Sequence, residues 1–176
     1  MKTKFFTLRF GKQKGFTLIE LLVVIAIIGV LSSIVLVAIN NARTKARDSK
    51  RMSEIRQMRS ALELYITTYN QYPDSDSAGC GGWDTPGNGT FLASLDSNGF
   101  MKNISDPTLN DSCGNYRYYR YGAGSYGCPA DRGAYYVLGI VDLETVSGTH
   151  PRSPGWSCSG RNWQTEFEWV IGSYES

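Results

Sequence analysis

Hydrophobic residues follow two different patterns along the first 72 positions of this 176-residue chain. Residues 16–39 are mostly apolar on every side of a helix and carry a single charge, Glu20. After residue 40 the apolar positions recur at steps of about three and four, with charged residues between them: Met52, Ile55, Met58, Leu62, Tyr65, Ile66, Tyr69 and Tyr72. The first pattern predicts a helix long enough to cross the ~30 Å hydrocarbon core of a bilayer. The second pattern predicts an amphipathic helix.

The two helical patterns are predicted to join into one helix over about residues 16–71. Neither Pro nor Gly interrupts residues 30–72, and Pro73 ends the pattern because it cannot continue a helix. The apolar stripe of the second half needs a covering surface. We expect the face of a β-sheet to cover the stripe at Tyr65, Ile66 and Tyr69.

Later segments predict a small sheet. Three of them are rich in aromatic and β-branched residues between Gly-rich breaks, which is typical of strands: 116–121, 134–143 and 167–171. The first two are expected to pair as an antiparallel hairpin, and the third to return after a long loop. A short helix is expected near residues 91–95, before a turn at Asn98-Gly99. The sequence thus predicts an α+β fold, with a long N-terminal helix packed on a small antiparallel sheet.

Charge divides the chain unevenly, although the net charge is only +2. Residues 1–15 hold five basic residues and no acid, and residues 40–72 hold seven basic residues and three acids. Residues 73–176 hold twelve acids and six basic residues. Positive charge therefore flanks the apolar segment on both sides, and the positive-inside rule alone does not decide its orientation.

The residues at the start of the apolar segment form a specific motif. The string Lys14-Gly15-Phe16-Thr17-Leu18-Ile19-Glu20 resembles the prepilin processing site of type IV pilins and type II secretion pseudopilins. A secretory signal peptide would have a shorter apolar region with a small-residue cleavage site after it. In the resembled family, a membrane peptidase cuts after the Gly and methylates the new N-terminal Phe. The resemblance therefore implies cleavage at Gly15, N-methylation of Phe16 and a role for Glu20 in assembly.

The resemblance also implies a division of the chain: a leader at 1–15, a membrane and polymerisation helix at 16–39, an amphipathic continuation at 40–72 and an exported, disulfide-bonded head at 73–176. The implied function is that of a structural subunit of a pilus-like fibre. A type II secretion pseudopilin and a minor tip subunit with adhesin-like binding are the alternatives. Before assembly the subunit would be a single-pass membrane protein with its N-terminus in the cytoplasm, and afterwards part of an exported fibre.

The resemblance names partners as well. They are the prepilin peptidase, identical or homologous subunits, the lipid bilayer and a membrane assembly platform driven by an ATPase. No nucleic acid is expected among them. Many pilins carry a Pro in the apolar helix where this chain has Val37. Any local weakening of the helix during assembly must then come from Gly29, Ser32 and Ser33, because Gly is a poor helix former and Ser can bond to backbone carbonyls.

Four cysteines, all after residue 73, predict two disulfides in an oxidising compartment: Cys80, Cys113, Cys128 and Cys158. Their spacing does not resemble that of a zinc site. If 116–121 and 134–143 form a hairpin, Cys113 and Cys128 lie at opposite ends of it, roughly 20 Å apart. This favours Cys113–Cys158 with Cys80–Cys128. A long loop that folds back would instead give Cys80–Cys113 with Cys128–Cys158.

Other candidate chemistry is sparse. His150 is the only histidine, and no catalytic set surrounds it in the sequence, so an enzyme is not predicted. Asp142 and Glu144 are weak calcium candidates, since two carboxylates fall short of the six to eight oxygens that calcium takes. No cofactor is therefore expected. Alternating aromatic and basic residues form a candidate stacking platform for nucleic acid or sugar, although such a pattern is more typical of core packing: Tyr116, Arg117, Tyr118, Tyr119, Arg120 and Tyr121.

Overall fold

A computed structural model describes residues 15–75, 80–88, 91–102, 104–108 and 113–176 of the chain. Residues 1–14 of the predicted leader lie outside the described residues. The chain divides into two compact units, Met1–Ala42 and Arg43–Ser176.

One helix, α1, runs from Leu18 to Tyr69 and contributes to both units. Its end is set by Asn70, which takes a left-handed conformation with φ 55° and donates its N–H to the Ile66 carbonyl at 2.8 Å. Asn is one of the few residues that adopt this C-terminal cap readily, and Pro73 follows shortly after it. The prediction of a single long helix is confirmed. It begins two residues later and ends two residues earlier than the predicted 16–71.

The first unit exposes its apolar side chains on every face of α1. Each large apolar side chain from Leu18 to Ile39 is at least 42% exposed. By length and composition, α1 is the one helix among the described residues that could cross a membrane. So large an apolar surface is stable only against lipid or other protein.

The second unit holds an antiparallel sheet of three strands in the order β1-β2-β5. The strands are β1 (Tyr116–Tyr121), β2 (Tyr135–Ile140) and β5 (Trp169–Tyr174). β1 and β2 pair from Tyr116 opposite Ile140 to Tyr121 opposite Tyr135. The expected hairpin, the returning third strand and the α+β class are therefore confirmed. The short helix α2 lies at Ala93–Ser97, and a two-strand hairpin joins β3 (Ser157–Cys158) to β4 (Arg161–Asn162).

Both faces of the central strand β2 are buried. Tyr136, Leu138 and Ile140 belong to a core that includes Ile55, Met58 and Leu62 of α1. Tyr135 and Val137 point into a second core on the opposite face, which includes Trp163 and Phe167. The segment between β2 and β5 therefore covers the sheet on the side away from α1.

The far end of the α1 stripe is covered differently from the prediction. The Phe100 ring lies 5.5 Å from Tyr65 and 6.2 Å from Tyr69, measured between ring centroids. Tyr69 remains 45% exposed. The expectation that the sheet covers Tyr69 was wrong, because the turn at Gly99 (φ 75°) places Phe100 there instead. Tyr72 is the residue that meets the sheet, with its ring 4.6 Å from that of Tyr136.

The disulfides differ from the favoured pairing. Cys80 bonds to Cys113 and Cys128 bonds to Cys158, with Cα–Cα distances of 5.8 and 5.0 Å. The favoured pairs, Cys113–Cys158 and Cys80–Cys128, were wrong, and the alternative with a folded-back loop is the one observed.

The loop folds back where the Trp156 indole ring packs closely against Gly172 of β5. A Cβ added at Gly172 of β5 would come within 2.3 Å of the Trp156 ring, so only glycine leaves room for the ring. The loop is also bonded along its path, from the Gly155 N–H to the Val170 carbonyl at 3.1 Å and from the Gly160 N–H to the Tyr126 carbonyl at 2.8 Å. This path carries Cys158 to the turn of the β1–β2 hairpin, beside Cys128.

Candidate functional site

The first turn of α1 is closed by a reciprocal capping box. The Glu20 N–H donates to Thr17 Oγ1 at 3.2 Å, and the Thr17 N–H donates to Glu20 Oε2 at 2.9 Å. The Thr17 hydroxyl also donates to Glu20 Oε2, at 2.8 Å. Two N–H groups that have no partner within the helix are thus satisfied by side chains.

The three predicted processing and assembly residues lie at or directly before this capping box: Gly15, Phe16 and Glu20. Gly15 and Phe16 precede the cap, and the Phe16 side chain is 77% exposed. A Cβ built on Gly15 would have no atom within 4 Å. The Gly15–Phe16 bond therefore lies in an exposed segment without regular secondary structure, directly before the helix. Their roles in cleavage and methylation stay predictions.

Sequence reasoning missed Thr17. The pattern Thr-x-x-Glu before an apolar run is itself a signature of a helix start, and it was available in the string 17–20. The interpretation of Glu20 as an assembly charge was therefore incomplete. In the subunit by itself, Glu20 also holds the beginning of α1.

The predicted weak stretch of α1 is helical throughout. Gly29, Ser32 and Ser33 all lie within the helix, and the Ser33 hydroxyl donates to the Val30 carbonyl at 2.7 Å. This is the side-chain bond to the backbone that competes with regular helix bonds. Unwinding at this stretch during assembly stays a prediction.

The calcium candidates are not brought together. Asp142 is exposed, whereas the Glu144 carboxylate accepts hydrogen bonds from Arg47 and, at 3.0 Å, from Arg51. Among the described residues, no group of three or more His, Cys, Asp and Glu is arranged to hold a metal ion.

Glu144 belongs instead to an ion cluster around Arg51, whose side chain is fully buried. The Arg51 guanidinium lies 2.7 Å from Asp48, 3.1 Å from Asp106 and 3.0 Å from Glu144. Asp48 also accepts the N–H groups of Glu144 and Thr145 at 3.1 and 2.8 Å. The cluster thus ties α1 to the loop after β2 and to the loop that precedes β1.

These contacts shift the pKa values of two carboxylates of the cluster, Asp48 and Glu144. Burial raises the pKa of Asp48, but hydrogen bonds from Thr145, the Glu144 N–H and Arg51 outweigh it, and the net pKa is lowered. The hydrogen bond from Arg47 is the main reason that the pKa of Glu144 is lowered. Both groups are therefore held in their charged form.

The candidate stacking platform on β1 is not one surface. Tyr116 and Tyr118 are fully buried in the core against α1, where their hydroxyls donate to Glu54 and to the Pro73 carbonyl. Burial raises the pKa of both phenols. Tyr119 and Tyr121 face the opposite side of the sheet. Alternation along the strand thus separates the aromatic residues, as expected for core packing.

Comparison with known proteins places these features in a family. The pattern described as "Prokaryotic N-terminal methylation motif" matches residues 11–36. Type II secretion system core protein G of Escherichia coli (strain K12) is 35% identical over 101 residues, which cover 57% of this chain and 70% of that protein. Core protein G of Pectobacterium carotovorum subsp. carotovorum is 42% identical over 65 residues, 37% of this chain and 42% of that protein.

A fibre protein is similar as well. Type IV major fimbrial protein FimA of Dichelobacter nodosus is 51% identical over 54 residues, which cover 31% of this chain and 35% of that protein. No solved structure matches the chain. The methylation motif, the long apolar helix on a small antiparallel sheet and the extended match to core protein G agree with one another, and the chain belongs to the type IV pilin and type II secretion pseudopilin family.

Proposed function

We propose that this chain is a membrane-stored structural subunit that polymerises through the first half of α1 into a pilus-like fibre. One observation carries the proposal: residues 18–39 form a helix whose apolar side chains are exposed on every face, directly behind the processing motif. A helix that is apolar all round is stable in lipid or in a bundle of like helices. A fibre core of identical helices supplies the second environment.

Family membership implies processing by a prepilin peptidase. We propose that the peptidase cuts between Gly15 and Phe16, where glycine lets the backbone enter a narrow protease cleft. Removal of residues 1–15 takes away five positive charges and changes the net charge from +2 to −3. It also creates a new α-amino group at Phe16, the proposed site of methylation.

Glu20 then provides the complementary charge. It lies four residues after the new amino group, and in a fibre core of low dielectric constant it would pair with the amino group of a neighbouring subunit. A buried carboxylate without a partner is strongly unfavourable, so the pairing selects one register between adjacent helices.

The basic leader is proposed to keep the N-terminus in the cytoplasm until cleavage. Removal of so long an apolar helix from lipid is not spontaneous. An assembly platform driven by an ATPase is therefore the expected partner that extracts each subunit.

The pseudopilus of a type II secretion system is the second candidate setting. It is favoured by the match to core protein G, which extends over 101 residues and is longer than the 52 residues of α1. The similarity to the fimbrial protein, over 54 residues, is of about the length of α1. A major pilin would be abundant in filaments sheared from the cell surface, whereas loss of a pseudopilin would abolish secretion of exported proteins.

Mass spectrometry of the protein recovered from membranes and from sheared filaments tests the proposal. We expect a mature chain that begins with N-methylated Phe16. Gly15→Val should leave the full-length precursor in the membrane, while Gly11→Val, a glycine of the leader outside the cleavage bond, should be processed normally. A mature N-terminus at any other residue would contradict the proposal.

A further inference from the structure

A cavity of about 340 Å³ opens beside β1 in the second unit. Its lining is mixed, with four aromatic rings beside two arginines and several small residues from distant parts of the chain: Trp83, Tyr119, Tyr121, Tyr126, Arg120 and Arg161. Gly81 and Gly82 form part of the rim. The volume lies near the lower end of the range of about 300–1,000 Å³ that small-molecule sites occupy.

The aromatic walls support one another. The Trp83 ring meets Tyr119 and Tyr121 edge to face, at centroid distances of 6.0 and 6.2 Å. The Arg161 guanidinium lies 5.0 Å from the Tyr126 ring and 5.6 Å from the Trp83 ring. Such contacts hold rings in fixed orientations, so the cavity is formed before any ligand arrives.

Tyr126 combines strain with exposure. Its backbone is left-handed, with φ 51°, and its side chain is 46% exposed. A bulky residue in this conformation is energetically costly, and strained residues concentrate at functional sites. The ring packs edge to face against Tyr121 and Trp163, at centroid distances of 5.5 and 5.6 Å, and these contacts leave nearly half of it exposed at the cavity.

Both rims of the cavity are tethered by disulfides. Gly81 and Gly82 directly follow Cys80, which is bonded to Cys113. Tyr126 lies two residues before Cys128, which is bonded to Cys158, and the Tyr126 carbonyl accepts the Gly160 N–H at 2.8 Å. Binding would therefore require little ordering of the protein, which favours affinity for a small ligand.

Charge decides the class of ligand. Arg161 forms a bidentate pair with Glu166, at 2.8 and 2.6 Å. Arg120, which also lines the cavity, is paired with Glu175 at 2.7 Å and Asp74 at 2.9 Å. Both cations are thus compensated, and the site offers little attraction to a phosphate. The guanidinium, phenol and serine hydroxyl groups of the lining instead offer donors and acceptors for hydroxyl groups.

We propose that this cavity binds a neutral carbohydrate of one or two sugar rings. The apolar face of a sugar ring would stack on Tyr126, and its hydroxyls would bond to Arg161 and Ser125, which both line the cavity. The proposal goes beyond assembly and uses no residue of the processing segment. It can therefore fail while the fibre function stands.

Fluorescence titration of the purified full chain tests the proposal, since Trp83 lines the cavity. The detergent must carry no sugar headgroup, and the probes are lactose, maltose, cellobiose and chitobiose. We expect a saturable change with at least one of them. Tyr126→Asn should weaken that binding about tenfold or more, because it removes the ring. Asn tolerates a left-handed backbone, so the variant should fold.

Tyr69→Asn is the matched control, because Tyr69 is 45% exposed and lies on α1, away from the lining of the cavity. It should bind as the wild type does, and Tyr126→Phe should retain binding. The proposal is overturned if none of the four sugars binds, or if Tyr126→Asn binds with unchanged affinity. A short oligothymidylate that binds at this site in place of the sugars would also overturn it.

Discussion

Glu20 has two uses in this chain, one observed and one proposed. In the subunit its carboxylate accepts hydrogen bonds from both the N–H and the hydroxyl of Thr17. In the fibre it is proposed to neutralise a neighbouring amino group. The first use depends on a hydrogen-bond acceptor at the third helical position, and the second depends on charge.

Glu20→Gln separates these two uses, because Gln also serves at this position of a capping box but carries no charge. We expect a processed, membrane-inserted subunit that fails to enter filaments. Thr17→Val removes the capping hydroxyl but keeps the charge of Glu20. Loss of the cap should weaken the helix start by about 1 kcal/mol, and filaments should still form. Immunoblots of sheared filaments and membranes measure both. Wild-type filament yield from Glu20→Gln would reject the charge role.

Arg51 is the residue whose removal should most damage the second unit. Its buried guanidinium compensates Asp48, Asp106 and Glu144. Arg51→Met would leave the buried Asp48 and Asp106 carboxylates without this counter-charge, while Glu144 keeps Arg47, and we expect a loss of about 3–5 kcal/mol in the free energy of unfolding. Urea denaturation followed by tryptophan fluorescence measures this loss. Arg59→Met, at an exposed position on the same helix, should change stability by less than about 0.5 kcal/mol.

The same cluster makes stability depend on acid pH. The pKa values of Asp48 and Glu144 are lowered from ordinary values of 3.8 and 4.5. A carboxylate with a depressed pKa in the folded state stabilises the fold above its unfolded pKa and loses that contribution as the pH falls through the folded value. We therefore expect the urea midpoint to fall as the pH drops below about 4. The fall should be shallower in Asp48→Asn, and an equal slope in the two proteins would contradict this assignment.

At the scale of elements, α1 joins two kinds of helix without a break. The first part is apolar on all faces, and the second buries one stripe that includes Ile55, Met58 and Leu62. Gly29, Ser32 and Ser33 lie in the first part, where the side chains of the helix are exposed. Gly disfavours a helix by about 1 kcal/mol relative to Ala, and Ser33 already bonds to a backbone carbonyl.

We therefore expect the stretch 29–33 to be the first to extend when the helix moves from lipid to a fibre. Cryo-electron microscopy of filaments would show this directly. A variant with Ala at Gly29, Ser32 and Ser33 should keep its helix through this stretch and should assemble more slowly. An unbroken helix over residues 26–40 in the wild-type filament would disprove the prediction.

At the scale of the whole molecule, long irregular segments are held by the two disulfides. They close intervals of 33 and 30 residues, which restricts the unfolded chain. Cys128→Ser with Cys158→Ser should destabilise the protein by about 2–4 kcal/mol. Peptide mapping without reduction should recover Cys80–Cys113 and Cys128–Cys158 from the wild type. Recovery of Cys113–Cys158 would contradict the structure, and four free thiols would contradict export to an oxidising compartment.

Local sequence patterns were sufficient to predict most of the helices and strands. The strand β1 was predicted at the residues where it is found, and α1 to within two residues at each end. The processing string at 14–20 was likewise readable directly, because its information lies in adjacent residues. The cap formed by Thr17 and Glu20 is equally local, since Thr-x-x-Glu before an apolar run is itself a signature of a helix start.

The sequence by itself therefore determined the helix, the strands and the family, because periodicity, helix-ending residues and a contiguous motif are local properties. Only the tertiary structure decided the disulfide pairing, the burial of Arg51 and the aromatic cavity. Each depends on the path of the segment after β2, and that path is set by distant packing, such as Trp156 on Gly172 and Glu144 on Arg51. Loop closure depends only weakly on length, so chain length alone could not select one pairing over another. The contacts that select it join residues about 16 and 93 positions apart in the chain.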